Sequence, residues 1–135
     1  MKNLRSALVA LAVLFIATAA HAQEAKVAAT IPFNFVVGDR AYPAGDYLIS
    51  NNGAVLKITG AEQTTITLSH ACESPAPSAT TKVVFRQMGG SYFLKQIWLE
   101  GELRGRELPR SESELRLAQN HEKTEPVVIA ANIVK

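Results

Sequence analysis

Apolar and polar positions alternate with a period of two along most of the chain beyond Val27, the pattern of half-buried β-strands. Ile31, Phe33, Phe35 and Val37 alternate with Pro32, Asn34 and Val36, which predicts one strand with a fully apolar face. Pro32 lacks a donor and favours a sheet edge or the start of a ladder. Gly38-Asp39 and Pro43-Ala44-Gly45 supply turns, with Pro43 fixing φ and Gly45 free to take a positive value. Tyr47 to Ile49 continue as a strand as far as Asn51-Asn52-Gly53, where Asn-Gly is the strongest hairpin signal in the chain. Ala54 to Thr59 is the return strand.

Thr64 to Ala71 places Ile66 and Leu68 on one face and Thr65, Thr67 and Ser69 on the other, and predicts the first pair on the apolar side. Residues 73–81 (ESPAPSATT) read as loop. Lys82 to Gln87 and Ser91 to Leu99 flank Met88-Gly89-Gly90 as a second hairpin. Glu100 to Arg110 carries alternating charges and reads as loop or irregular ribbon. Ser111 with Glu114 forms a capping box, predicting a short helix from Glu112 to about Asn120 packed through Leu115 and Ala118. Glu112 and Arg116 are spaced i,i+4. A last strand begins at Val127 and ends near Val134. The fold expected is mainly β: a small antiparallel β-sandwich or partly closed barrel of seven to eight strands, with one short helix near the C-terminus.

The first 22 residues have a different pattern, that of a cleaved secretory signal peptide. Lys2 and Arg5 give a positive start, Ala7 to Ala20 an apolar run of 14 residues, and Ala20-His21-Ala22 a small-x-small cleavage site. A bilayer span needs about 20 apolar residues, so this run falls short of an anchor. The expected organisation is residues 1–22 as the signal and 23–135 as a single β domain. Export follows the general secretory route, to the periplasm or beyond, with no transmembrane helix in the mature chain. The whole sequence of 135 residues carries 14 basic and 12 acidic side chains, a net charge of +2. Both surplus basic residues belong to the first 22, so the mature 113 residues are formally neutral. Overall charge therefore gives no support to nucleic acid as a partner, and the partner expected is a protein or another envelope component.

Two stretches, IPFNFVVGDRAYPAGDYLI and KVVFRQMGGSYFLKQIW followed by GRELPRSESELRLA, resemble a group of small exported bacterial proteins of uncharacterised function. The resemblance implies export. It carries over no catalytic or binding residue.

Candidate chemistry is sparse. His70 and Cys72, at i and i+2, continue the parity of Ile66 and Leu68, and could serve as a thiol nucleophile with its base or as two metal ligands. The alternative is a half-buried histidine and a buried thiol at a strand end. As the single cysteine of an exported chain, Cys72 also raises a disulfide-linked dimer. Asp39 and Asp46 read as turn carboxylates bonded to nearby backbone. Arg104, Arg106 and Arg110 lie among glutamates in the most charged stretch and form the candidate partner surface. Tyr92, Phe93 and Trp98 could line a groove but fit a core. Phosphate-binding and dinucleotide fingerprints are absent, because Gly89-Gly90 precedes a strand and not a helix. No residue is assigned to catalysis, a metal or a cofactor. Three functions remain open: a non-enzymatic exported binding or envelope-assembly domain, a small apolar-ligand carrier, and a Cys/His-dependent hydrolase or thiol enzyme.

Overall fold

A computed structural model describes residues 25–120 and 123–134, so the proposed signal segment and His121 lie outside the described residues. The strands are β1 (Ala25–Ile31), β2 (Phe35–Val37), β3 (Arg40–Tyr42), β4 (Gly45–Asn52), β5 (Val55–Thr59), β6 (Thr64–Leu68), β7 (His70–Glu73), β8 (Lys82–Met88), β9 (Ser91–Trp98), β10 (Arg104–Glu107), β11 (Glu125–Ala130) and β12 (Asn132–Val134). One sheet runs β12-β1-β4-β5-β6 and the other β11-β8-β9-β10-β7, with β2 joining the second through β9 and carrying β3. The molecule is mainly β, two sheets not closed into a barrel, as in a sandwich.

More strands appear than the seven or eight read from the sequence, because runs that look continuous change sheet partway. Residues 31–37 divide at Pro32-Phe33-Asn34, where the chain leaves β1 for β2. The segment 64–73 divides at Ser69, and the last strand divides at Ala131. Alternation reports which face a residue takes, not which sheet it joins. Ala25 and Lys26, ahead of the first strand read from the alternation, pair with Asn51 and Ser50. Residues 104–107, within the stretch read as loop or irregular ribbon, form β10. Pairing is antiparallel throughout except between β2 and β9, which meet in parallel at Val36 and Phe93. The hairpin between β8 and β9 turns on Gly89 and Gly90, whose φ values of 58° and 80° suit a two-residue type I′ turn that other residues resist.

The core lies between the sheets. Val27, Ile31, Phe35, Tyr42, Ile49, Leu56, Ile58, Val83 and Phe85 are all at most 2% exposed. Full burial of each large apolar side chain contributes about 1.5–3 kcal/mol. Phe35 is central, its ring 5.0 Å from Tyr47 and 5.4 Å from Tyr42 and from Phe85. Phe93 and Trp98 are buried. Ile66 and Leu68, predicted on the apolar side, instead face solvent at 68% and 67% exposure. The register with β5 is the reason: Leu56 opposes Thr67 and Ile58 opposes Thr65, so those threonines share the inner face with two fully buried side chains. The Tyr42 hydroxyl donates to Thr65 Oγ1, linking β3 to β6.

The one described helix, α1 (Glu112–Gln119), begins as its cap predicts, with Ser111 Oγ accepting from the Glu114 amide at 3.2 Å. The reciprocal half of the capping box does not form. The Glu114 side chain is 3% exposed and receives a charge-assisted hydrogen bond from Arg86 of β8, itself 8% exposed. Leu115, expected to pack, is 46% exposed. Ala118, also expected to pack, is half-buried, and the helix docks through the Arg86–Glu114 ion pair as well as this partial apolar contact.

Candidate functional site

The β7–β10 ladder brings together residues that the sequence separates by more than 30 positions. Glu107 pairs with His70, Arg106 with Ala71, Gly105 with Cys72, and Arg104 with Glu73. Side chains alternate across a sheet, so His70, Cys72, Gly105 and Glu107 take one face while Ala71, Arg104 and Arg106 take the other. The two candidate groups of the sequence, His70 with Cys72 and Arg104 with Arg106, thus lie back to back on one pair of strands. Arg110 stands apart, exposed beyond the end of β10.

On the outer face a chain of hydrogen bonds crosses three strands. Trp98 Nε1 donates to Gln96 Oε1 at 3.1 Å, Gln96 Nε2 donates to Glu107 Oε1 at 3.0 Å, and His70 Nε2 lies 3.0 Å from Glu107 Oε2. Burial would raise the Glu107 pKa, but hydrogen bonds from Gln96 and His70 and the positive charges of His70 and Lys95 hold it below the ordinary value. Gly105 is required beneath Trp98, because a Cβ there would meet Trp98 Cδ2 at 2.7 Å. Cys72 sits next to this chain as a free, half-buried thiol. Burial, and then the Glu107 carboxylate, push its pKa above the ordinary value, outweighing the Gly105 backbone and Arg106. A nucleophilic cysteine needs the opposite shift. His70 is engaged by a carboxylate, and that carboxylate adds to burial in opposing thiolate formation.

On the inner face, at the open end of the sandwich, the two sheets part into a cleft of about 260 Å³. Val27 and Ile49 line it from one sheet, Ile97 and Leu99 from the other side. Asn51, the residue that follows Tyr47 and Ile49 at inward parity on β4, places a polar group in this apolar wall. Its Oδ1 atom is shielded from solvent and has no hydrogen-bond partner among the described residues. Glu102, Arg104 and Arg106 border the same cleft. Arg106 is already committed: its Nε donates to Ser69 Oγ at 2.9 Å and its Nη2 to the Ser69 carbonyl at 2.6 Å. Arg104 has only an exposed contact, Nε to Glu73 Oε1 at 3.5 Å, of the kind worth little in water.

Asn51 was hidden by its neighbours in the sequence, since Asn51-Asn52-Gly53 reads as a turn. The signal was its parity, a polar residue where the alternation calls for an apolar one. Glu107 was hidden among the alternating charges, where RGRE also alternates in face. Of the turn carboxylates, Asp39 does lie in the β2–β3 turn, whereas Asp46 is in β4 and accepts from Thr30 Oγ1 at 2.6 Å. Among the described residues no three His, Cys, Asp or Glu side chains are grouped to hold a metal ion, and no helix is long and apolar enough to cross a membrane. Comparison of the chain with protein-family models, curated proteins and solved structures finds no match.

Proposed function

We propose that the protein is an exported, non-enzymatic β-sandwich that acts as a binding module of the cell envelope, with the cleft at the open end of its sheets as the binding site. The carrying observation is the cleft itself, where apolar residues of both sheets form a floor beneath a charged rim. A concave, mainly apolar pocket with a few polar groups at its border is the usual form of a small-molecule site. Export rests on the three-part N-terminal pattern and on the resemblance to small exported proteins. The enzyme reading has little support, because Cys72 has a raised pKa and His70 is bonded to Glu107. An apolar-ligand carrier needs an enclosed chamber, and the space between the sheets is filled by side chains such as Leu56, Ile58, Val83 and Phe85.

The test is to purify the chain from its native compartment, sequence its N-terminus, and record amide spectra with and without small molecules extracted from that compartment. The expected result is a mature chain beginning at Gln23 and saturable shifts at Val27, Ile49, Ile97 and Leu99. Turnover of hydrolase or thiol-enzyme substrates by the same preparation would overturn the reading, as would shifts confined to residues remote from the cleft.

A further inference from the structure

We infer that the cleft recognises a free apolar α-amino acid in its zwitterionic form. This deepens the binding-module reading and rests on it. Four features converge. The volume, about 260 Å³, lies below the range of about 300–1,000 Å³ typical of pockets for drug-sized ligands, and so suits a smaller molecule. The floor, Val27, Ile49, Ile97 and Leu99, is aliphatic from both sheets and takes a branched aliphatic side chain. Glu102, which makes no ion pair among the described residues, adds negative charge at the rim and suits an ammonium group. Arg104 supplies a guanidinium on the same rim, held only by the exposed Glu73 contact, and suits a carboxylate.

The charges select this class over its relatives. A simple carboxylic acid would pair with Arg104 but meet repulsion from Glu102. A simple amine would pair with Glu102 and face repulsion from Arg104. A small molecule bearing both charges, with an apolar arm, meets both rim groups and the floor. The rim groups are solvent-exposed, so both charged ends stay partly hydrated and avoid the full cost of burial.

The test uses L-leucine, leucinamide (no carboxylate), N-acetyl-leucine (no ammonium) and isoamyl alcohol (neither charge), each titrated into the purified chain while amide and Asn51 side-chain resonances are followed. Leucine should give saturable shifts at Val27, Ile97 and the Asn51 carboxamide. Leucinamide and N-acetyl-leucine should each bind about tenfold or more weakly, the usual loss for a charged hydrogen bond. Arg104→Ala, a change at an exposed side chain that leaves the core untouched, should bring leucine down to the affinity of leucinamide. Equal binding of leucine and either blocked form would overturn the zwitterion, and so would binding of isoamyl alcohol without leucine; in both cases the cleft stands as a binding site. Absence of shifts at the cleft with all four probes would overturn the inference and leave the broader reading to the compartment extract.

Discussion

At the scale of single residues, Glu107 and Asn51 show how little a side chain's identity says before its partners are known. Glu107 is one of many glutamates in a charged stretch, yet it joins β7, β9 and β10 through His70 and Gln96. Its folded pKa is depressed, so the stability it contributes is fully present above its unfolded value and is lost as pH falls through the folded one. Glu107→Gln should therefore lower the melting temperature at neutral pH, and the gap from the parent should close as pH drops below the ordinary carboxylate value of 4.5. A gap that stays constant from neutral to acid pH would show that Glu107 is not held by these partners. Asn51 makes the complementary point. Its neighbours supply the turn, while its own side chain points into the cleft wall, and only its parity with Tyr47 and Ile49 records that.

At the scale of elements, local chemistry was legible and partner choice was not. Turn glycines, the Ser111 cap and the extents of β8, β9 and the helix could be read because each depends on neighbours in sequence. The exposure of Ile66 and Leu68 could not, because it depends on the register that Leu56 and Ile58 impose from another strand. The cleft was half legible: Arg104 and Arg106 stood out as a charged surface, but its aliphatic floor is assembled by long-range pairing. The helix shows the same division. Its start is set by Ser111, whereas its attachment is set by Arg86, 28 residues away from Glu114. Removing one member of a buried pair leaves the other charge unpaired, so Glu114→Ala should cost about 3–5 kcal/mol. Arg86→Met with Glu114→Leu should recover most of that loss, because an apolar pair of similar volume avoids the desolvation cost. Urea unfolding of the three proteins measures both. A double variant as unstable as the single one would mean that the ion pair supplies something packing cannot replace.

At the scale of the molecule, the two sheets are tied together where the chain turns from one to the other, and the cleft lies beside one of these corners. At Ala131, between β11 and β12, the amide donates to the Thr81 carbonyl at 3.0 Å. At Ser69, between β6 and β7, the amide donates to the Ala54 carbonyl at 2.8 Å, and the Arg106 guanidinium holds both the hydroxyl and the carbonyl of Ser69. At the second corner a charged side chain that also borders the cleft adds to these backbone bonds. Arg106 therefore couples the position of β7 to the shape of the opening. Hydrogen bonds from a charged donor contribute about 1.5–3 kcal/mol, so Arg106→Ala should free the corner by that amount without dissolving the core. Hydrogen exchange should accelerate at the Ser69 and Ala71 amides and stay unchanged in β8, which pairs with β9 and β11 and not with the strand that carries Arg106. Uniform acceleration across both sheets would show that the corner is part of the global folding unit. In that case the edge beside the cleft would open only with the whole sandwich, and a ligand would meet a preformed site.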